Sequence, residues 1–175
     1  MLKLAGDQVF LRALESSDID FLYQVENDMA IWELSGTLAP YSKELLRQYI
    51  DSAHMDIYEA KQLRLCICEN GTGTALGFVD LFDFEPCHKR VGVGIIIYRV
   101  DFQNKGIGSE ALRLVEDYCF QILDLHQIYA NVLEENQKSN YVFTKLGYQK
   151  VGIKKDWIYF NKEFKNEILY QKIRA

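Results

Sequence analysis

The sequence is poor in proline, histidine and tryptophan, with 2 Pro, 3 His and 2 Trp among 175 residues. Scarce proline argues against a Pro-rich linker, and no repeat or low-complexity segment interrupts the chain. His54, His88 and His126 are scattered, which gives no metal-ligand spacing. The 4 Cys form no CxxC pair. Cys66 and Cys68 lie two apart in an apolar run and read as free buried thiols on one face of a strand. No apolar run reaches the length of a membrane span, and the opening MLKLAGDQVF lacks the apolar core of a secretory signal. A cytoplasmic protein is expected. Positive charge is also short in one region. Residues 1–60 hold 11 acidic and 4 basic side chains, and the whole chain has a formal net charge of −5. An acidic front is a poor match for nucleic acid, whose binding rests on neutralised phosphates. It suits a cationic small molecule or a basic peptide end, although a solvated acidic helix face reads the same way.

What is present is an ordinary globular composition, 49% hydrophobic and 26% charged, long enough for one domain over residues 1–175. Gln8 to Leu14 alternates apolar and polar residues as a strand does. Ser16, Ser17 and Asp18 offer caps for a helix to about Met29. Gly36 to Pro40 is a loop, and Ser42 caps a long helix to about Tyr58. Strands are expected over Leu63 to Cys68, Ala75 to Phe84 and Arg90 to Tyr98, the first two joined by a turn at Asn70 to Thr74. A helix with one apolar face follows from Gly106 to about Leu123. After it come a strand over Gln127 to Leu133 and a helix over Gln137 to Leu146, stopped by Gly147. Three short strands end the chain, around Tyr148 to Ile153, Trp157 to Phe160 and Ile168 to Ile173, with a turn at Asn161 and Lys162. This order predicts an α+β (α/β) fold: a mixed central sheet of about 6–7 strands flanked by about four helices.

The strongest chemical signal is Gln103-Asn104-Lys105-Gly106-Ile107-Gly108, directly after an apolar strand and directly before a helix. Two glycines two apart leave the backbone open to close approach. The first turn of a helix presents unpaired amides and the positive end of its dipole. Together they suit a diphosphate, which Lys105 would favour further. The same pattern also serves as a tight turn that only packs. It is neither a Walker loop nor a complete dinucleotide fingerprint.

The run Q-x-x-G-x-G after a strand resembles the acetyl-CoA signature of the GNAT N-acetyltransferases. A second stretch strengthens the resemblance: Asn136-Gln137-Lys138-Ser139, then Val142, then Lys145-Leu146-Gly147-Tyr148, similar to that family's N-x-x-S/A … K-x-G-[FY] ending. It extends over nearly the whole chain, including the opening FLRALESSD, and is closest to the branch of spermidine and ribosomal-protein N-terminal acetyltransferases. The resemblance implies an N-acetyltransferase fold and acetyl-CoA or coenzyme A as cosubstrate, with no metal. It places Ile96, Ile97 and Tyr98 along the pantetheine arm. Gln103, Asn104, Lys105, Gly106, Ile107, Gly108 and Ser109 would hold the pyrophosphate. Asn136 would contact the pantetheine amides, and Ser139, Phe143 and Lys145 lie on the helix flanking the coenzyme. Phe143 also fits a core position, and Asn136 also fits a helix cap.

The implied chemistry is direct attack of a neutral amine on the thioester, without an acyl-enzyme. Two departures from the family pattern stand out. Phe143 occupies the position where many members carry a thiolate-protonating tyrosine. Tyr141 is nearby, but two residues along a helix turn it to roughly the opposite side; water or Ser139 are the other candidates. Gly92 stands where the spermidine enzymes carry glutamate, so a base must come from Asp80, Asp83, Glu85 or Glu33, or through water. The acceptor is expected to be a small-molecule amine, such as a polyamine, or a peptide N-terminus, held near Trp32 and Glu33 and by Asp80 and Asp83. The missing acid and base also fit a CoA-binding sensor or partner-binding protein on the same fold. Oligomeric state stays open, homo-oligomers being common in the family.

Overall fold

The computed structural model describes residues 4–175. Its strands are β1 (Val9–Ala13), β2 (Leu63–Glu69), β3 (Ala75–Glu85), β4 (Arg90–Ile97), β5 (Gln127–Leu133), β6 (Gln149–Phe160) and β7 (Glu163–Ile173). Its helices are α1 (Ile19–Glu26), α2 (Met29–Ser35), α3 (Lys43–Ser52), α4 (Ile57–Ala60), α5 (Ile107–Asp117) and α6 (Gln137–Lys145). One seven-stranded sheet runs in the order β1-β2-β3-β4-β5-β7-β6. All neighbours are antiparallel except β4 and β5, which the crossover helix α5 makes parallel.

The expected mixed sheet is present, with more helices than the sequence suggested. The helix expected to reach Met29 stops at Glu26. Asn27 spends its amide on Tyr41, donating to its carbonyl (3.0 Å) and accepting from its N–H (2.7 Å). Asp28 then caps a new helix, α2, by accepting from the Ala30 amide at 2.9 Å. The helix begun by Ser42 ends at Ser52, and Asp56 caps the separate turn α4. At the other end, the expected pieces around residues 148–153 and 157–160 are one strand, β6. Its irregular pairing between Lys154 and Ile158, with Asp156 at φ 51°, keeps it in register with β7. The tight turn at Asn161 and Lys162 is present, both residues left-handed at φ 49° and 65°.

The sheet buries both faces over part of its width. Ala111, Leu112 and Val115 of α5 pack on Val79, Val91, Val93 and Ile128. Leu22, Val25, Leu46 and Ile50 of α1 and α3 cover Cys66, Cys68 and Phe78 on the opposite face. Each fully buried side chain of this size is worth roughly 1.5–3 kcal/mol. Burial also pushes the Cys66 and Cys119 thiols up, which keeps them unreactive.

One irregularity positions the site. β4 and β5 pair only at Arg90–Gln127, Val91–Ile128 and Gly92–Tyr129. Beyond Gly92, β4 stays bonded to β3 as far as Ile97, while β5 stays bonded to β7 as far as Leu133. The two strands therefore part, and a wedge opens between their carboxyl ends, where ligands bind in sheets of this kind.

Candidate functional site

The wedge is a cleft of about 1070 Å³ between β4, the start of α5, α6 and α2. Most of the residues singled out in the sequence line it: Ile96, Ile97, Tyr98, Gln103, Asn104, Gly106, Ile107, Gly108, Ser109, Asn136, Ser139, Tyr141, Phe143 and Lys145. Its donor wall is shaped mainly by backbone. Asn104 (φ 59°) and Gly106 (φ 81°) are left-handed, which reverses the chain so that α5 starts at the mouth of the cleft. Gln103 holds the turn against β4, its side-chain amide donating to the Ile97 carbonyl at 2.9 Å. Lys138 of α6 donates to the Gln103 side-chain oxygen at 3.2 Å. Gly106 has no side chain to cap α5, so the first-turn amides remain for a ligand. Glu110, the acidic residue in that turn, is engaged elsewhere: it accepts the Gln8 amide of the segment leading into β1 at 2.8 Å.

The two glycines differ in kind. Gly106 is required by its backbone, because positive φ is strained for most side chains. Gly108 is not. A Cβ placed there would sit at ordinary contact distance from Ile97 (3.8 Å) and Ile95 (3.9 Å). The fold does not ask for glycine at 108; an open space above the first turn of α5 does.

The α6 wall is built from side chains. Asn136 caps the helix, accepting the Ser139 amide at 3.2 Å. Asn140, which the sequence gave no reason to single out, fixes α6 to the sheet. It donates to the carbonyls of Leu133 (3.1 Å) and Asn136 (2.9 Å) and accepts the Tyr170 hydroxyl at 2.7 Å. Phe143 is 3% exposed and packs edge-on against Tyr148, with ring centroids 5.0 Å apart. Its ring is core that reaches the cleft's inner end. Tyr141 was expected to turn away, yet it lines the rim at 66% exposure, with the Lys145 ammonium 5.9 Å from its ring centre.

Six candidates lie outside the cleft, among them Glu85, ion-paired to Arg90 at 3.0 Å. Lys105 is exposed, its ammonium 5.6 Å from the Phe102 ring centre. Trp32 donates its indole N–H to the Glu26 carbonyl at 2.9 Å. Glu33, expected beside the acceptor, is ion-paired to Lys165 of β7. Asp80 takes both arms of Arg64, at 2.6 and 3.0 Å, and Arg64 also pairs with Glu26. Asp83 is exposed at an irregularity of β3. Two acidic residues do line the cleft: Asp101, and Asp28 near Tyr98, whose hydroxyl is pushed up by burial and by that neighbour. The identity of Asp28 as the α2 cap was hidden by the single long helix expected there.

Comparison with known proteins bears on the family of the chain. Residues 8–149 match the family model described as an acetyltransferase (GNAT) domain. A spermidine N(1)-acetyltransferase of Escherichia coli is 29% identical over 165 residues, covering 94% of this chain and 85% of that one. A putative ribosomal N-acetyltransferase of Bacillus subtilis is 27% identical over 89 residues, 51% of this chain and 48% of that one. A crystal structure of the Vibrio cholerae spermidine N-acetyltransferase, in complex with CoA and spermine, superposes with a TM-score of 0.85 at 24% identity, covering 96% of each chain. The same enzyme's dodecameric form has a TM-score of 0.79, at 25% identity over 96% of this chain and 95% of that one. No helix among the described residues is long and apolar enough to cross a membrane.

Proposed function

Because the chain belongs to the GNAT acetyltransferase family and is an acetyl-CoA-dependent N-acetyltransferase, we propose that its wedge-shaped cleft takes acetyl-CoA and that the acceptor is a primary amine, of a polyamine or of a peptide or protein N-terminus. The observation that carries the donor assignment is Gly108, a glycine the fold does not need, above a helix start with unpaired amides. Those amides and the α5 dipole fit a diphosphate. The unpaired edge of β4 from Val93 to Ile97 fits an extended amide-bearing arm, in the manner of an added strand. The CoA complex of the Vibrio cholerae relative supports coenzyme A as the ligand. Its bound spermine, and the names of the spermidine and ribosomal relatives, support amines of these two kinds as acceptors.

Acetyl-CoA supplies an activated thioester carbonyl. The chain supplies position, which removes most of the entropic barrier, together with dipoles near the carbonyl. The amine lone pair forms the N–C bond, the C–S bond breaks, and sulfur leaves with the pair. The surplus amine proton passes through water to the thiolate, since Phe143 has none to give. Ser139 and Tyr141 at the rim order that water in this reading. By analogy with the dodecameric relative, we also propose a homo-oligomer, with the exposed Trp157, Tyr159 and Phe164 of the β6–β7 hairpin in the interface.

The test is thiol release from acetyl-CoA across a panel holding spermidine, spermine and Ala- or Ser-starting peptides. Turnover with one of them is expected. CoA binding in a calorimeter with no turnover on any amine would overturn the transferase reading in favour of a CoA sensor.

A further inference from the structure

Gly92 is the last residue of β4 to pair with β5. Its partner on β3 is Phe82 and its partner on β5 is Tyr129. All three face away from α5, because the alternate residues Val91, Val93 and Ile128 are buried beneath that helix. The Phe82 ring lies over the glycine: a Cβ built at Gly92 would come within 2.3 Å of it, and one at Gly94 within 3.9 Å. Phe82 and Tyr129 meet edge to face, with centroids 6.0 Å apart. The space that a carboxylate at position 92 would enter is therefore filled by a ring from the neighbouring strand.

This apex lies three residues beyond Ile95, the innermost β4 residue that lines the cleft, and is its reacting end if the coenzyme lies as proposed above. From Ile97, tied to the phosphate turn through Gln103, back to Gly92 is about five residues of strand, or ~17 Å at about 3.3 Å each, comparable with an extended pantetheine arm. The acidic groups on this face already have cations: Asp80 with Arg64 at 2.6 Å, Glu167 with Lys154 at 2.6 Å and Glu85 with Arg90 at 3.0 Å. Among the described residues, Asp83 near Tyr129 has no such partner. On the sheet around the apex, one free carboxylate suits one ammonium, whereas a chain carrying several would find its counter-charges there occupied; Asp28 and Asp101 line the cleft at its other end, beside Tyr98 and the α5 turn.

We propose that Phe82 determines acceptor specificity: with Tyr129 it forms an aromatic floor at the apex that accepts a single amine borne on an apolar or aromatic body and disfavours a polycation. The proposal rests on the acetyl-transfer reading and chooses, within it, the singly charged acceptor. The ring faces hold the ammonium on arrival. The apolar surroundings then favour its neutral, attacking form, so no carboxylate at position 92 is needed.

The experiment compares 2-phenylethylamine with spermidine in thiol release by the wild type, Phe82→Ala, the volume-keeping Phe82→Leu, and the double variant Phe82→Ala with Gly92→Glu. CoA affinity is measured on each by calorimetry and should be unchanged. The wild type should favour 2-phenylethylamine in kcat/KM. Both single variants should lose roughly tenfold on that amine and change little on spermidine. The double variant, whose freed space takes a carboxylate, should turn the preference towards spermidine. A wild type that prefers spermidine, or single variants that change both amines equally, overturns the aromatic floor and leaves acetyl transfer standing. Thiol release with no amine in the panel, despite CoA binding, overturns both.

Discussion

The wall of the cleft and the ion pairs beside it are built by different means. On the proposed donor side the α5 turn is set by backbone: two left-handed residues, a helix start without a cap, and a glycine that leaves room. Outside the cleft, on the proposed acceptor side, the arrangement is set by side chains drawn from distant parts of the chain. Arg64 on β2 joins Glu26 on α1 to Asp80 on β3, and Lys165 on β7 joins Glu33 on α2 to Glu135 before α6. Backbone demands are met by few residue types, so they leave a mark in sequence. Ion pairs between remote positions are met by many combinations and leave none.

The largest effect should come from breaking the donor side. Gly106→Glu places a bulky, negatively charged side chain at φ 81° beside the helix start. CoA affinity should fall by about a thousandfold or more, equivalent to ~4 kcal/mol, as read by calorimetry. The ion pairs of the acceptor side should be untouched, and acceptor binding with them. Breaking the acceptor side should act through stability instead. Arg64→Ala leaves Glu26 and Asp80 facing each other without the cation that joins them. A loss of about 3 kcal/mol in denaturant unfolding is expected, with CoA affinity in the folded protein little changed.

Gly108→Ala sharpens the contrast, because its two effects should have opposite signs. Alanine in the first turn of α5 meets only ordinary contacts, so the ligand-free protein should gain about 0.5–1 kcal/mol. The same methyl group sits where the coenzyme would approach, and CoA affinity should drop roughly tenfold. A stabilised protein with undiminished CoA binding would mean that the open space above α5 has no ligand in it.

These differences explain what the sequence made legible. The turn before α5, the strand before it and the Asn136 cap could be read because glycine, positive φ and capping each restrict residue choice at fixed offsets. The mixed sheet followed from period-2 runs. The break between α1 and α2 was not legible, since it depends on Asn27 bonding to Tyr41, 14 residues away. Nor was Asn140, whose partners Leu133 and Tyr170 lie on two other strands. Glu33 and Asp80 were read as free carboxylates because nothing local predicts Lys165 or Arg64 as their partners. Gly92 looked like a missing base, and only the β3 register shows Phe82 over it.

A smaller effect separates the two faces by pH. Burial alone would raise the Asp18 carboxyl, but two Arg12 hydrogen bonds (2.7 and 2.8 Å) and the Glu15 amide reverse this and hold it below its ordinary value of 3.8. A depressed folded value means that the stabilisation is present above about pH 4 and is lost as pH falls through the lower folded value. Acid unfolding monitored by circular dichroism should therefore steepen below about pH 4 in the wild type and be flatter in Asp18→Asn. The pair ties β1 to the turn before α1, remote from α5, so CoA affinity near neutral pH should be the same in both proteins.

The smallest effect is expected at Tyr141, and it tests how the thiolate gains its proton. Tyr141 stands at the rim of the cleft and is 66% exposed, where water can replace its hydroxyl. Phe143, at the position where a tyrosine would serve as acid, is buried against Tyr148 and Tyr170 and has no proton to give. If water carries the proton and Tyr141 only helps to order it, Tyr141→Phe should lower kcat by no more than about threefold and leave KM for acetyl-CoA unchanged. The loss of a positioned general acid would instead cost about a hundredfold or more. A drop of that size in kcat, with KM intact and the alkaline limb of the pH–rate profile removed, would make Tyr141 the acid. It would also move the reacting end of the cleft from the Gly92 apex towards α6.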